Sequence, residues 1–162
     1  MISARTLLLV SSLAIVSVAA APTIAGAQLR STRVVAAEGA QRAIVAAVAE
    51  AKKQGWNVSI AVVDNAGDLV GFYRMDAAPV ASADISVAKA RTSARLRRAT
   101  RGLDSTLSAG RYAILSLPGV TSVEGGVPII VNGETVGAIG VSGASSAQDA
   151  QVASIGAAEV QP

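Results

Sequence analysis

The chain has 162 residues, 14 Lys and Arg against 11 Asp and Glu, no Cys, no His, and 51% hydrophobic side chains. That apolar fraction supports a packed core and excludes a charged, disordered tail. Without Cys or His there is no disulfide frame, thiolate nucleophile, imidazole base or zinc-finger-type site.

Residues 1–27 read as a secretory signal: Arg5 gives a basic start, residues 7–18 an apolar stretch, and Ala25-Gly26-Ala27 a small-x-small cleavage site. The stretch is shorter than the ~20 residues of a spanning helix. The expectation is therefore cleavage after Ala27, a periplasmic or secreted location and no stable membrane anchor. The remainder, residues 28–162, is expected to be one domain. It keeps 13 cations against 11 acids, and this near-neutrality argues against nucleic acid as a partner.

Over residues 29–54, Val34, Ala37, Ile44, Val45 and Val48 share one face at helical spacing, which predicts a helix stopped by Gly55. Residues 57–63 alternate as a strand, Asp64-Asn65-Ala66-Gly67 is turn chemistry, and residues 68–74 return with Leu69, Val70, Phe72 and Tyr73. Ser82 caps a second helix reaching residue 98, with Ile85, Ala88, Thr92 and Leu96 on one stripe. Lys89 falls inside that stripe, whereas Arg91, Arg95 and Arg98 lie on a flank. Residues 103–117 hold a short helix over 108–115, ended by Pro118-Gly119. Residues 125–131 and 134–141 flank Asn132-Gly133, the preferred two-residue hairpin turn, with Pro128 near a strand start or on an edge. A last helix over 147–158 is capped by Ser145 or Ser146. Two hairpins separated by helices predict an α+β layer fold with an antiparallel sheet.

Asp64 and Asp68 flank a turn where Asp is ordinary, whereas Asp76 follows a strand end and can face a cleft. Lys89 is more informative. A buried amine meets an anion, becomes neutral or snorkels to an edge. The anion is an internal carboxylate such as Asp76 or Glu124, or a bound ligand. The six cations from Lys89 to Arg101 are either a solvated face or a set that pairs with ligand carboxylates. The loop from Gly140 to Ser146 suits either anion cradling ahead of a helix or tight strand-to-helix packing. Tyr73, Met75 and Tyr112 are the only soft or phenolic groups after residue 27, and no metal cage assembles from these residues.

Taken in order, Val62-Val63-Asp64 with Gly67, Arg74-Met75-Asp76-Ala77, Ala88-Lys89-Ala90-Arg91-Thr92, Gly125-Gly126-Val127-Pro128-Ile129, Gly137-Ala138-Ile139-Gly140-Val141-Ser142-Gly143 and Gln148-Asp149 form a specific set. With them the chain resembles the haem-degrading-domain family, the GlcG/HbpS-like proteins also related to the C-terminal part of PduO-type proteins. The resemblance implies a profilin-like three-layer sandwich, its central antiparallel sheet of about five strands flanked by helices. It also implies homo-oligomers and binding of haem or a related tetrapyrrole. Haem iron is most often held by His, Cys, Met or Tyr, which leaves Tyr73, Met75 and Tyr112 here.

The expected function is an exported homo-oligomer that binds haem or a small anionic ligand through Arg74, Met75, Lys89, Arg91 and Tyr112. In that expectation Arg74 and Arg91 hold carboxylates and Asp76 orients Lys89. One alternative is a lyase or isomerase acting on a small carboxylate, with Lys89, Asp76 and Glu124 as candidate acid and base. The other is an oligomeric assembly module.

Overall fold

Both hairpins form, and they meet in one sheet. In the computed structural model, which describes residues 31–161, β1 (Ser59–Asp64) and β2 (Leu69–Arg74) flank the first turn. β3 (Gly126–Val131) and β4 (Glu134–Ser142) flank Asn132-Gly133, whose φ angles are 53° and 78°. β1 and β4 pair antiparallel, so the sheet runs β2-β1-β4-β3. It has four strands among the described residues, one fewer than expected. The expected signal over 1–27 and the first residues of the expected opening helix lie outside the described residues.

Strand alternation divides the interior in two. Ile60, Val62, Ile139 and Val141 face α1 (Ala37–Gln54) and α4 (Ser146–Ala158), while Ala61, Val63 and Ala138 face α2 (Ser82–Leu96). This is the expected three-layer arrangement. No helix among the described residues is long and apolar enough to cross a membrane.

The helices bury different faces from those that hydropathy predicted. On α2 the buried residues are Ser82, Ser86, Lys89, Ala90, Thr92, Ser93 and Ala94, while Ile85 and Leu96 stay exposed. Gly126 and Gly140, directly opposed on β3 and β4, explain this. A Cβ on Gly140 would strike the Ser86 carbonyl and the Ala90 amide, and one on Gly126 would strike the Lys89 carbonyl. The helix backbone therefore rests on strand backbone, only small side chains fit between them, and bulky ones turn outward. On α1 the buried stripe is likewise Ala40, Ala43, Ile44, Ala47 and Ala51, and the expected Val45 is exposed. That helix starts at Ala37 rather than in the twenties, because Val35 N–H donates instead to the Val136 carbonyl at 2.9 Å.

The short helix expected over 108–115 is replaced by two pieces, α3 (Arg101–Ser108) and a 3-10 turn over Tyr112–Ser116. Between them the N–H groups of Ala109, Gly110 and Arg111 close back onto α3 carbonyls and end it. Both sheet edges are blunted: β2 bulges at Val70, and β3 carries Pro128, while the extra residue of the β3–β4 pairing is Val136 on the inner strand β4.

Candidate functional site

Of the outcomes open to Lys89, the structure buries it, but its partner is neither Asp76 nor Glu124. Its Nζ donates to Asp149 Oδ2 at 2.8 Å and to the Val141 carbonyl at 3.1 Å, and both side chains of the pair are almost fully enclosed. Lys89 belongs to the helix on one face of the sheet and Asp149 to the first turn of α4 on the other. The ion pair thus ties the two outer layers together where β3 begins. Gly125 leaves the room: its φ is 127°, and a Cβ there would lie 2.8 Å from Lys89 Nζ and 2.8 Å from the Val141 oxygen.

Asp149 is placed by local chemistry. Ser145 caps α4 in a reciprocal capping box with Gln148, which turns the next side chain back toward the preceding loop. Asp149 Oδ1 accepts the Ala144 N–H at 3.0 Å, so the chain's own carboxylate fills the loop read as an anion cradle. Burial raises the Asp149 pKa above its ordinary 3.8, opposed by the hydrogen bond from Lys89 and by the amides of Ala144 and Gly143. The carboxylate at the first turn of α4 was visible in the sequence; its pairing across 60 residues was not.

The other expected site residues do not gather around Lys89. Arg91 Nε donates to the Gly67 carbonyl at 3.1 Å and Arg95 Nε to the Ala66 carbonyl at 2.9 Å, so both fasten the β1–β2 turn. Asp64 holds the same turn by accepting the amides of Ala66, Gly67 and Asp68. Arg74 donates to the Ala78 carbonyl at 3.1 Å, and Asp76 is exposed on the turn after the opposite edge strand from Gly125. Glu124 alone lies near the tie. It precedes Gly125, meets Arg101 Nε at 3.6 Å and edges a cavity of about 380 Å³ with Arg101, Gly125 and Gln151. Two of the three Lys89 Nζ donors are thus taken by the protein's own acceptors.

Three side chains can approach an iron, and the fold separates them. Met75 packs against the main core, and Tyr112 stands 69% exposed on the 3-10 turn. Tyr73 lies opposite Ile60 in the β1–β2 register, on the sheet face that α1 covers. There it lines an apolar groove of about 340 Å³ with Ile44, Val45, Val48, Ala49 and Lys52. Glu50 pairs with Lys53 at 3.8 Å, and Lys52 has no acid partner among the described residues. Lys52 and the groove were not foreseen, because residues 52 and 73 meet only after the helix docks on the hairpin.

Comparison with known proteins identifies relatives of the whole fold. The family described as haem degrading protein HbpS-like matches residues 35–158. Protein GlcG of Escherichia coli K12 is 48% identical over 112 residues, covering 68% of this chain and 84% of that protein. The crystal structure of a double mutant of Streptomyces reticuli HbpS aligns with a TM-score of 0.75 and 37% identity, covering 86% of this chain and 97% of the other. A crystal structure of PduOC in complex with haem aligns with a TM-score of 0.70 and 25% identity, covering 78% of this chain and 94% of the other.

Proposed function

The chain belongs to the HbpS-like family of haem degrading proteins, and from that membership we propose that it is an exported haem-binding protein that works as a homo-oligomer. The observation that carries the haem reading is the groove between α1 and β2, which joins an apolar wall, one phenol and one ammonium with no acid partner among the described residues. The haem complex of its structural relative PduOC supports the same ligand.

Bound haem supplies a redox-active iron in an apolar ring that carries two carboxylates. The donor set fits it without His or Cys, because a tyrosine oxygen is an established haem ligand. Tyr73 would hold the iron through its Oη. Lys52 would pair with one of the haem carboxylates, a contact strengthened by charge. Ile44, Val45 and Val48 would cover ring surface and keep water from it. Met75 packs against the core, and Arg74 and Arg91 each donate one hydrogen bond to a backbone carbonyl away from this groove.

Haemin titration at neutral pH tests the reading. A saturable Soret shift at micromolar concentration is expected, and Tyr73→Phe should change the spectrum of the complex. No Soret shift with protein shown to be folded removes it.

Assembly is supported by large apolar residues left in solvent, among them Val80 at 84%, Leu115 at 64% and Ile130 at 55% exposed. Because both sheet edges are blunted, copies would meet through faces rather than by extending the sheet. Sedimentation equilibrium reads this directly. Export rests on the signal pattern of residues 1–27, and N-terminal sequencing of extracytoplasmic material should begin at Gln28.

A further inference from the structure

The basic run that opens at Lys89 is only partly used by the contacts described above. Lys89 is tied to Asp149, Arg91 and Arg95 to the first hairpin, and Arg101 to Glu124. Arg98 is different. It shares with Arg111 a cavity of about 430 Å³ formed beside α3 and the 3-10 turn, walled by Ala113, Ile114 and Leu117, with Thr106 also on it. That volume lies within the roughly 300–1,000 Å³ of small-molecule sites.

Neither guanidinium has an acid partner or a hydrogen-bond acceptor among the described residues, whereas Arg42, Arg74, Arg91, Arg95 and Arg101 all do; Arg97 also lacks one but does not line the cavity. Asp104, the acid of α3, is turned to the Glu124 amide, which it accepts at 2.9 Å. Thr106 Oγ1 donates within its own helix to the Gly102 carbonyl. Two like charges on one cavity repel unless an anion lies between them. A guanidinium matches a carboxylate with two parallel hydrogen bonds, and a hydrocarbon wall matches methylene groups.

We infer that this cavity is a binding site for a small organic dicarboxylate with a hydrocarbon middle, one carboxylate on Arg98 and the other on Arg111. None of the residues lining it ligates iron, which separates it from the Tyr73 groove. Ile114, nearly buried, and Leu117 cover the ligand's methylene groups.

Isothermal titration of the full folded chain with succinate, glutarate and adipate tests the site, with butyrate at matched ionic strength as the single-carboxylate comparison. At least one dicarboxylate should bind about tenfold more tightly than butyrate, since the second carboxylate adds a charge-assisted pair. The double substitution Arg98→Gln with Arg111→Gln should lose that gain while far-UV circular dichroism and the haemin titration stay unchanged. Lys at both positions should recover only part of it, because an ammonium lacks the planar fork.

Three results would overturn the inference. One is no dicarboxylate exceeding butyrate; a second is binding that survives the double Gln substitution. The third is loss of haemin binding in that variant, which would assign both arginines to the haem carboxylates. Failure of the wild-type chain to bind haemin leaves the dicarboxylate result standing, so the two readings fail separately.

Discussion

Cutting one end of the Lys89–Asp149 tie should cost far more than removing the whole tie. Asp149→Asn preserves side-chain shape and an acceptor for the Ala144 amide, yet strands a buried ammonium beside the Val141 carbonyl. Lys89→Met strands the carboxylate instead. Removing one member of a buried pair costs about 3–5 kcal/mol, because the remaining charge is desolvated without compensation. With both replaced, the main residual penalty is the Val141 carbonyl left without its donor, about 1–3 kcal/mol. Urea unfolding can be followed by the fluorescence of Trp56, which packs against the core. For a slope of about 2 kcal/mol/M, each single variant should drop the midpoint by ~2 M and the double variant by ~1 M. If the double variant loses the sum of the two singles, or either single loses under about 1 kcal/mol, the pair does not couple the layers as described.

Gly140→Ala should destabilise at or beyond the upper end of the ~1–3 kcal/mol of overpacked cores, since its Cβ meets helix backbone that cannot rotate away; a urea midpoint within error of wild type would contradict this. Asp149 should leave a mark on the pH profile. Its folded-state pKa lies above the ordinary 3.8, so the folded form keeps this proton where the unfolded form has released it. Its contribution to stability therefore falls as pH rises from 3.8 through the raised value, and that component of the slope should vanish in Asp149→Asn. Arg91→Ala should speed hydrogen exchange in the β1–β2 turn and cost about 1 kcal/mol, while haemin binding stays unchanged. Loss of haemin binding in that variant would restore Arg91 to the ligand site.

Legibility in the sequence followed the range of the interactions. Asn132-Gly133 and the Asp64 turn are local, and both hairpins form where turn chemistry placed them. The positions of α2 and α4 and the end of α1 were also readable, whereas the start of α1, α3 and the buried faces of α1 and α2 were not. Ser86, Ala90 and Ser93 are selected by the Gly126–Gly140 surface brought to them from far along the chain, so hydropathy ranked Ile85 and Leu96 above them. Lys89 was marked by the conflict between its charge and its position. Its partner was not, because Asp149 reads locally as an ordinary first-turn acid on α4. The arginines expected to hold a ligand were legible only as a basic run. Backbone carbonyls of the first hairpin claim Arg91 and Arg95, and Arg98 is left beside Arg111 by the chain reversal after α3.

Resonance Raman spectra of the ferric haem complex, recorded for the wild-type chain and for Tyr73→Phe, examine the ligand atom itself. Tyrosinate ring modes coupled to iron in the wild type, absent from the variant, are the predicted outcome. The same iron-ligand signature in both proteins, or a thioether-bound iron, would contradict the placement of haem in the groove between α1 and β2.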